Sequence, residues 1–255
     1  MDIIIITQAR IGSSRLDKKV LLQLGSKTVL ETHLNRLKQS KLKDKIIVAT
    51  TFEPGVEEII EICSKVNVEY FQGSLNDVLK RFYFAAIKHK PKYVVRVTSD
   101  CPLIDPTLID EMIKNAKEYN VDYYTNTFTE TFPDGQDIEV IKWEALEFAQ
   151  KNAKLSSERE HVTPLIRTNC SLNNKELFKG AELLSHENLG HIRMTLDQKE
   201  DLDTLRYVID KKGENKSWVE YANFIHNSGD IITNANIKRN EGYIKSLNNE
   251  QNYNG

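Results

Sequence analysis

Over its first 126 residues the chain switches repeatedly between two hydrophobic periods, and few folds accommodate that. Asp2 to Thr7 holds four isoleucines in a row and ends in polar residues, the pattern of a strand buried on both faces. Thr28 to Gln39 then places Val29, Leu30, Leu34 and Leu37 on one helical face. The alternation continues: a strand over Lys45 to Thr51, a helix marked by Val56, Ile59, Ile60 and Cys63, and a short strand over Val68 to Phe71. Next come a helix lined by Val78, Leu79, Phe82, Ala85 and Ala86, and a strand over Tyr93 to Thr98. Asp105-Pro106 supplies an N-cap and a proline at the first helical position, opening a helix with Leu108, Ile109, Met112, Ile113 and Ala116 on its stripe. Val121 to Thr125 is the strand after it. Strand–helix alternation with short connections predicts an α/β fold, a parallel sheet covered by helices on both faces. Its ligand crevice should lie beyond the carboxyl ends of the strands, where strand order switches. The loops after Thr7, Thr51, Phe71 and Thr98 are therefore the ones expected to carry function.

The pattern changes near Asn126. Phe132-Pro133-Asp134-Gly135 is a strong turn signal within a polar loop. A strand is expected over Asp137 to Lys142, helices around Trp143 to Asn152 and Ser156 to Thr168, a late strand over His191 to Leu196, and a late helix through Leu202, Leu205, Val208 and Ile209. Residues 127–190 read as an inserted α+β subregion, after which a final strand returns to the main sheet. The expectation is one domain over residues 1–240 and a polar, loosely held tail over 241–255.

Composition excludes several classes. With 35 Lys+Arg against 37 Asp+Glu, the net charge of -2 argues against a dedicated nucleic-acid binder. No apolar run approaches the roughly 18 residues of a membrane span, and no charged-then-apolar leader precedes the first strand. A soluble, cytoplasmic protein with no membrane partner is expected. Cys63, Cys101 and Cys170 are far apart and odd in number, so reduced thiols are expected rather than disulfides or a zinc site.

Several residues could carry chemistry. The loop Gln8-Ala9-Arg10-Ile11-Gly12-Ser13-Ser14-Arg15-Leu16-Asp17-Lys18-Lys19 packs four cations, a glycine and two serines behind a buried strand. It can offer backbone N–H groups, hydroxyls and charge to a triphosphate, or be a solvated basic loop. Gly25-Ser26-Lys27-Thr28 lacks the upstream glycine of a phosphate-binding Walker loop, and no dinucleotide-type GxGxxG exists. Asp100, just past Thr98, is placed to hold Mg²⁺ against phosphates or to be a turn aspartate. Asp197 follows Arg193-Met194-Thr195-Leu196. It can be a second metal carboxylate or, with Glu200 three residues on, the cap of a helix. Arg81 lies off its helix's apolar face, turned to solvent or to the crevice mouth. His161, after Glu160, is a packing or hydrogen-bonding residue more often than a catalyst.

Six blocks, in order, resemble the cytidylyltransferases that make CMP-activated sugar acids. The spore-coat polysaccharide biosynthesis type is the nearer likeness, and the CMP-Kdo and CMP-sialic acid synthetases are more distant. The blocks are the loop from Gln8 to Leu16 with Lys19; Asp77-Val78-Leu79-Lys80-Arg81; Arg96 to Asp105, reading RVTSDCPLID; Phe132 to Val140, reading FPDGQDIEV; Arg159-Glu160-His161-Val162-Thr163; and Arg193-Met194-Thr195-Leu196-Asp197. They cover about residues 2–210. The chain departs from the likeness at Asp17-Lys18, where Pro-Gly is usual.

The resemblance implies a Rossmann-like sheet of the nucleotide-diphospho-sugar-transferase type. It also implies nucleotidyl transfer, with an acceptor oxygen attacking the α-phosphate of CTP and pyrophosphate leaving. Arg15, Lys19 and Asp100 would be catalytic. Gln8, Ala9, Arg10, Gly12, Ser13, Ser14, Arg15, Lys19, Asp77, Arg81 and Ser99 would bind nucleotide, and Asp100 and Asp197 would hold Mg²⁺. Gln136, Asp137, Glu139, Glu160, His161 and Arg193 would contact a small sugar-acid acceptor. Residues 127–190 would pair two copies into a homodimer, with Tyr123, Tyr124, Phe128 and Phe132 expected as an apolar surface at its entrance. Two other classes remain open: a glycosyltransferase, although Asp201-Leu202-Asp203 falls inside a predicted helix, and a non-catalytic nucleotide-binding module.

Overall fold

A computed structural model describes residues 1–13 and 15–253, so the expectation for Ser14 lies outside the described residues. Strand β1 (Ile3–Gln8) is followed by the hairpin strands β2 (Gln23–Leu24) and β3 (Lys27–Thr28). Then come α1 (Val29–Leu37), β4 (Lys45–Thr50), α2 (Glu57–Lys65), β5 (Glu69–Gln72), α3 (Val78–Ala86), β6 (Tyr93–Thr98) and α4 (Pro106–Glu118). Strand β7 (Tyr123–Thr125) follows, and the insertion supplies β8 (Glu139–Lys142), α5 (Trp143–Asn152), α6 (Ser156–His161), α7 (Pro164–Thr168) and β9 (Gly180–Glu182). Helices α8 (Lys199–Lys212), α9 (Trp218–Asn227) and α10 (Glu241–Tyr253) close the chain.

The isoleucine run shows why the layers form. Successive strand residues point to opposite faces, so Ile3 and Ile5 pack against Leu30, Leu34, Ile59 and Met112 on one side of the sheet. Ile4 and Ile6 pack against Leu79, Phe82, Leu146 and Ile166 on the other. All four are essentially inaccessible to water, and each contributes on the order of 1.5–3 kcal/mol by burial.

The sheet runs β5-β4-β1-β6-β8-β7-β9. Strands β5, β4, β1 and β6 are parallel, as expected, whereas β8 runs antiparallel to both of its neighbours. The chain leaves β1 towards β4 and β5 and then crosses back to β6, so the order switches between β1 and β6. Asp105 caps α4 with Pro106 at the first position, and Asp77 caps α3.

Four expectations are corrected. His191 to Leu196 is not a sheet strand and makes one isolated bridge, between Arg193 and Asp134. Its apolar alternation serves a third core, where Ile192, Met194 and Leu196 pack with Leu205, Tyr221 and Ile225. Its backbone bonds to loops instead: Met194 N–H to Asp134 O (2.6 Å) and Leu196 N–H to Asp100 O (2.8 Å). The expected helix over Ser156 to Thr168 breaks, because Pro164 has no N–H to continue it and restarts the helix at its own first position. Buried Val162 takes φ 73° at the break, a conformation costly for a β-branched residue. The polar tail is ordered into α10 as far as it is described, packed on α6. Finally, Tyr123, Tyr124 and Phe132 are buried in the core, so they offer no apolar surface to a second copy.

Candidate active site

The switch point gathers residues from three distant parts of the chain. The loop after β1 brings Lys19 over the sheet edge, the turn after β6 presents Asp100, and the ledge before α8 presents Asp197. The Lys19 ammonium donates to Asp100 Oδ2 (2.6 Å) and to Asp197 Oδ1 (2.7 Å). Arg15 Nη2 reaches the same Asp197 oxygen at 3.0 Å. Burial by itself would raise the Asp100 carboxyl, but the Lys19 charge, with bonds from Lys19 and Thr98, holds it down to about 2. Burial likewise opposes the Lys19 charge, and the two aspartates overcome it, raising the ammonium above its ordinary value.

Asp197 is free for this role because it is not the helix cap. Asp201 does that work, its carboxylate accepting from the N–H groups of Asp197 and Gln198, both at 2.9 Å. Arg193 is enclosed by Asp134 (2.5 Å) and Asp201 (2.8 Å) and lies 3.6 Å from Asp197. Expected to touch an acceptor, it is instead buried and positions Asp197. The Lys19 loop tolerates its Asp17-Lys18 departure because Lys18 itself adopts φ 48°, the conformation that glycine takes without cost.

Other expected residues are distributed unevenly. Arg10 is exposed over the crevice, Ala9 is buried with its N–H on Ala49 O (3.2 Å), and Gln8 Oε1 is buried with no hydrogen-bond partner among the described residues. Gly12 lies against Glu53, and Ser13 Oγ accepts from Leu16 N–H (3.4 Å). Ser99 is not open to a nucleotide: its hydroxyl is buried against Thr7 Oγ1 (2.8 Å), which in turn meets His33 Nε2 (3.0 Å). Arg81 is not turned to solvent. It is buried, Nη1 donating to the carbonyls of Ser74 and Leu75, and burial with nearby Arg10 lowers it to about 10. Asp77 is committed to the α3 cap and to Arg159 Nη2 (2.5 Å). Asp77 and Arg81 thus shape the loop beside the crevice from below.

Next to the carboxylates is a cavity of about 190 Å³, lined by Arg96, Thr127, Glu130, Asp137, Glu139, His161, Thr163, Arg167, Arg239, Asn240 and Tyr243, among others. Asp137, Glu139 and His161 were expected there. Glu139 pairs with Arg96 and accepts from the Tyr123 hydroxyl (2.5 Å). Burial would raise it, but Arg96 and these bonds bring it below its ordinary range. Burial raises Asp137, and Arg239 holds that rise back. Gln136 does not line the cavity. Its buried amide accepts from Asp105 N–H and donates to Leu103 O, both at 2.9 Å. Glu160 turns to α10, where it accepts from Ser246 Oγ (3.0 Å). Arg96 and Arg167 went unassigned as ligands although both lie in or near the recognised blocks. Arg239, Asn240 and Tyr243 come from a segment whose polarity carries no periodic signal.

Two carboxylates that converge on one cation position form a hard-oxygen donor set, the kind that holds Mg²⁺ when phosphates and water complete its shell. No third His, Cys, Asp or Glu joins them among the described residues. Asp100 and Asp197 therefore fit a nucleotide-bound Mg²⁺ and do not form a stand-alone metal cage.

A basic loop, a shared pair of carboxylates and a neighbouring small cavity at one switch point are what nucleotidyl transfer requires. The cytidylyltransferase family profile matches residues 4–227. The chain belongs to that family. It is 43% identical over 201 residues to Uncharacterized protein MJ1063 of Methanocaldococcus jannaschii, covering 79% of this chain and 80% of the relative. It is 33% identical over 219 residues to Spore coat polysaccharide biosynthesis protein SpsF of Bacillus subtilis, covering 84% and 88%. A solved cytidylyltransferase from Leptospira borgpetersenii superposes with a TM-score of 0.85 at 35% identity, over 94% of this chain and all of that one. Asp201-Leu202-Asp203 does not serve the glycosyltransferase alternative, since Asp201 is buried on Arg193 and Asp203 is exposed on α8. Among the described residues no helix is long and apolar enough to cross a membrane.

Proposed function

We propose that this cytidylyltransferase transfers CMP from CTP to a small sugar acid of the ulosonic or nonulosonic type, releasing pyrophosphate, in the cytoplasm and for surface polysaccharide synthesis. The observation that carries this reading is Lys19 held between Asp100 and Asp197 beside an arginine-lined cavity. The likeness of six ordered motifs to CMP-sugar-acid synthetases and the name of the Bacillus subtilis relative point the same way.

The chain's own residues suffice for positioning and charge. Arg10, Arg15 and Lys19 bind the triphosphate, and Lys19 and Arg15 then neutralise the departing pyrophosphate. Asp100 and Asp197 would hold Mg²⁺, which when bound polarises the α-phosphate and screens its oxygens. Arg193 and Asp201 fix Asp197, and the cavity residues orient the acceptor oxygen for in-line attack. A homodimer through residues 127–190 would use the exposed Phe148, Leu155, Leu177 and Leu184 rather than the buried tyrosines, and sedimentation tests that pairing.

Pyrophosphate release should be measured with CTP and Mg²⁺ against a panel of sugar acids and polyol phosphates. Release with a sugar acid is the expected result. Release with polyol phosphates alone overturns the acceptor class, and equal use of ATP overturns CTP as donor.

A further inference from the structure

The cavity has a wall that the family match does not include. Past Asn227 the chain returns across the crevice, anchored by buried Asn234, whose amide donates to Asp201 Oδ1 (2.9 Å). Arg239 follows, its Nη1 donating to Phe132 O (3.0 Å) and its Nη2 to Asp137 Oδ1 (2.5 Å). Asn240 donates to Glu130 Oε1 (2.7 Å). Glu241 lies 4.0 Å from Arg15 of the nucleotide loop. On α10, Tyr243 stands edge-on to His161, ring centroids 4.9 Å apart, and Ser246 bonds to Glu160 and lies 3.1 Å from His161 Nε2. One segment thus touches the scaffold of Asp197, the acceptor cavity and the nucleotide loop.

Three guanidinium groups face the cavity, and they are not equivalent. Arg96 is paired with Glu139, its partner across the β6–β8 ladder, and Arg167 donates to Thr127 O with its charge over the Phe128 ring. Arg239 is held by Phe132 and Asp137, its Nε lies 3.8 Å from Glu130 Oε1 without a hydrogen bond, and its side chain is 11% exposed at the cavity. A guanidinium has five N–H donors, and two of them suffice for a planar, bidentate grip on a carboxylate. Phe132 and Asp137 take two and fix the plane.

We propose that Arg239 is an acceptor-binding residue that grips the acceptor's carboxylate, and that the segment carrying Asn234, Arg239, Asn240, Tyr243 and Ser246 forms the wall that makes the site selective for small carboxylated acceptors. This inference rests on the sugar-acid reading above. It adds a site residue outside residues 4–227, on the segment least expected to contribute one.

The test uses the full-length protein, Arg239→Gln and Arg239→Lys, with 3-deoxy-manno-octulosonate and N-acetylneuraminate as acceptors, each beside its methyl ester. Steady-state constants for each acceptor are read together with the CTP dissociation constant from calorimetry and the melting temperature. For Arg239→Gln we expect the acceptor KM to rise roughly tenfold to hundredfold, the usual weight of a charge-assisted bond. CTP affinity should hold, and the preference for acid over ester should vanish, because the ester lacks the charge that Arg239 reads. Arg239→Lys should regain part of that preference. An acid and ester KM that rise together, or a KM that does not move while the melting temperature falls, overturns the proposal and leaves Arg239 as a tether for Asp137. If the wild-type protein turns over CTP with none of the acids, the sugar-acid reading fails and takes this one with it. That outcome is distinct because it appears before any substitution.

Discussion

Asp100 and Asp197 share one ammonium group, Lys19 Nζ lying 2.6 Å from the first and 2.7 Å from the second. Neither carboxylate is fully enclosed, each side chain being about a fifth exposed, and Lys19 slightly less so. The lysine therefore offsets the repulsion between two acids that the site needs side by side. In the proposed mechanism the same two carboxylates would hold Mg²⁺.

Replacing that lysine should leave Asp100 without its ion pair and Asp197 with only Arg15 and Arg193 beside it. Lys19→Met is expected to cost about 3 kcal/mol, the low end for breaking a buried ion pair because this one is partly wet. Millimolar Mg²⁺ without CTP should recover part of the loss in the variant and do nothing for the wild type. Melting temperature across a Mg²⁺ titration checks this. An equal Mg²⁺ response in both proteins counts against a common cation position.

The alternation of periods made strands β1, β4, β5, β6 and β7 and the four helices α1 to α4 between them readable. Ile3–Ile6 can be satisfied only between two helical layers, and Asp105-Pro106 marks a helix start by local chemistry alone. The ledge over His191 to Leu196 was misread because alternating burial looks the same whether the backbone bonds to a strand or to loops. Asp100 was legible from its strand edge. For Asp197 the cap and the ligand readings stayed level, because only the fold shows Asp201 taking the cap. Arg239 had no signal, since its role depends on where a polar segment lands and not on its own pattern.

Arg15 is half free, touching Asp197 and approaching Glu241 at the crevice mouth. Arg15→Ala should weaken CTP binding roughly tenfold to hundredfold through lost phosphate bonds while leaving the melting temperature nearly unchanged. Calorimetry with CTP and Mg²⁺ decides it, and an unchanged affinity would make the loop a solvated face.

Gly135 holds the ledge that carries Asp197. At φ 107° its missing Cβ would sit 2.7 Å from the Met194 carbonyl carbon, so any side chain must push the backbone that leads to Asp197. Gly135→Ala should lower stability by more than about 1 kcal/mol, because the strained φ and the contact add. Turnover should fall beyond what the lost folded fraction explains. Normal turnover per folded molecule would show that the ledge moves without carrying Asp197.

His33 should make stability depend on pH below neutrality. Its ring is fully buried, Nδ1 against Cys101 O (2.8 Å) and Nε2 against Thr7 Oγ1 (3.0 Å). Burial lowers its pKa from 6.5 to about 4, outweighing the carbonyl bond and Asp100, which pull upwards. Below pH 6.5 the unfolded chain takes up a proton that the native ring refuses, so stability falls as pH drops towards 4. The full effect is on the order of 3 kcal/mol for a shift of this size. Other groups titrate in the same interval. Asp134, raised to about 7 by burial and Asp137, contributes with the opposite sign, because there the native state holds the extra proton. The informative quantity is therefore the difference between wild type and His33→Gln, whose amide can bond to the same partners without titrating. Denaturant midpoints for both proteins at half-unit steps from pH 7 to pH 4 should diverge, the wild type losing more at each step. Parallel curves would mean that the native ring is protonated at its ordinary pH and that the buried Thr7–His33–Cys101 contact carries a charge.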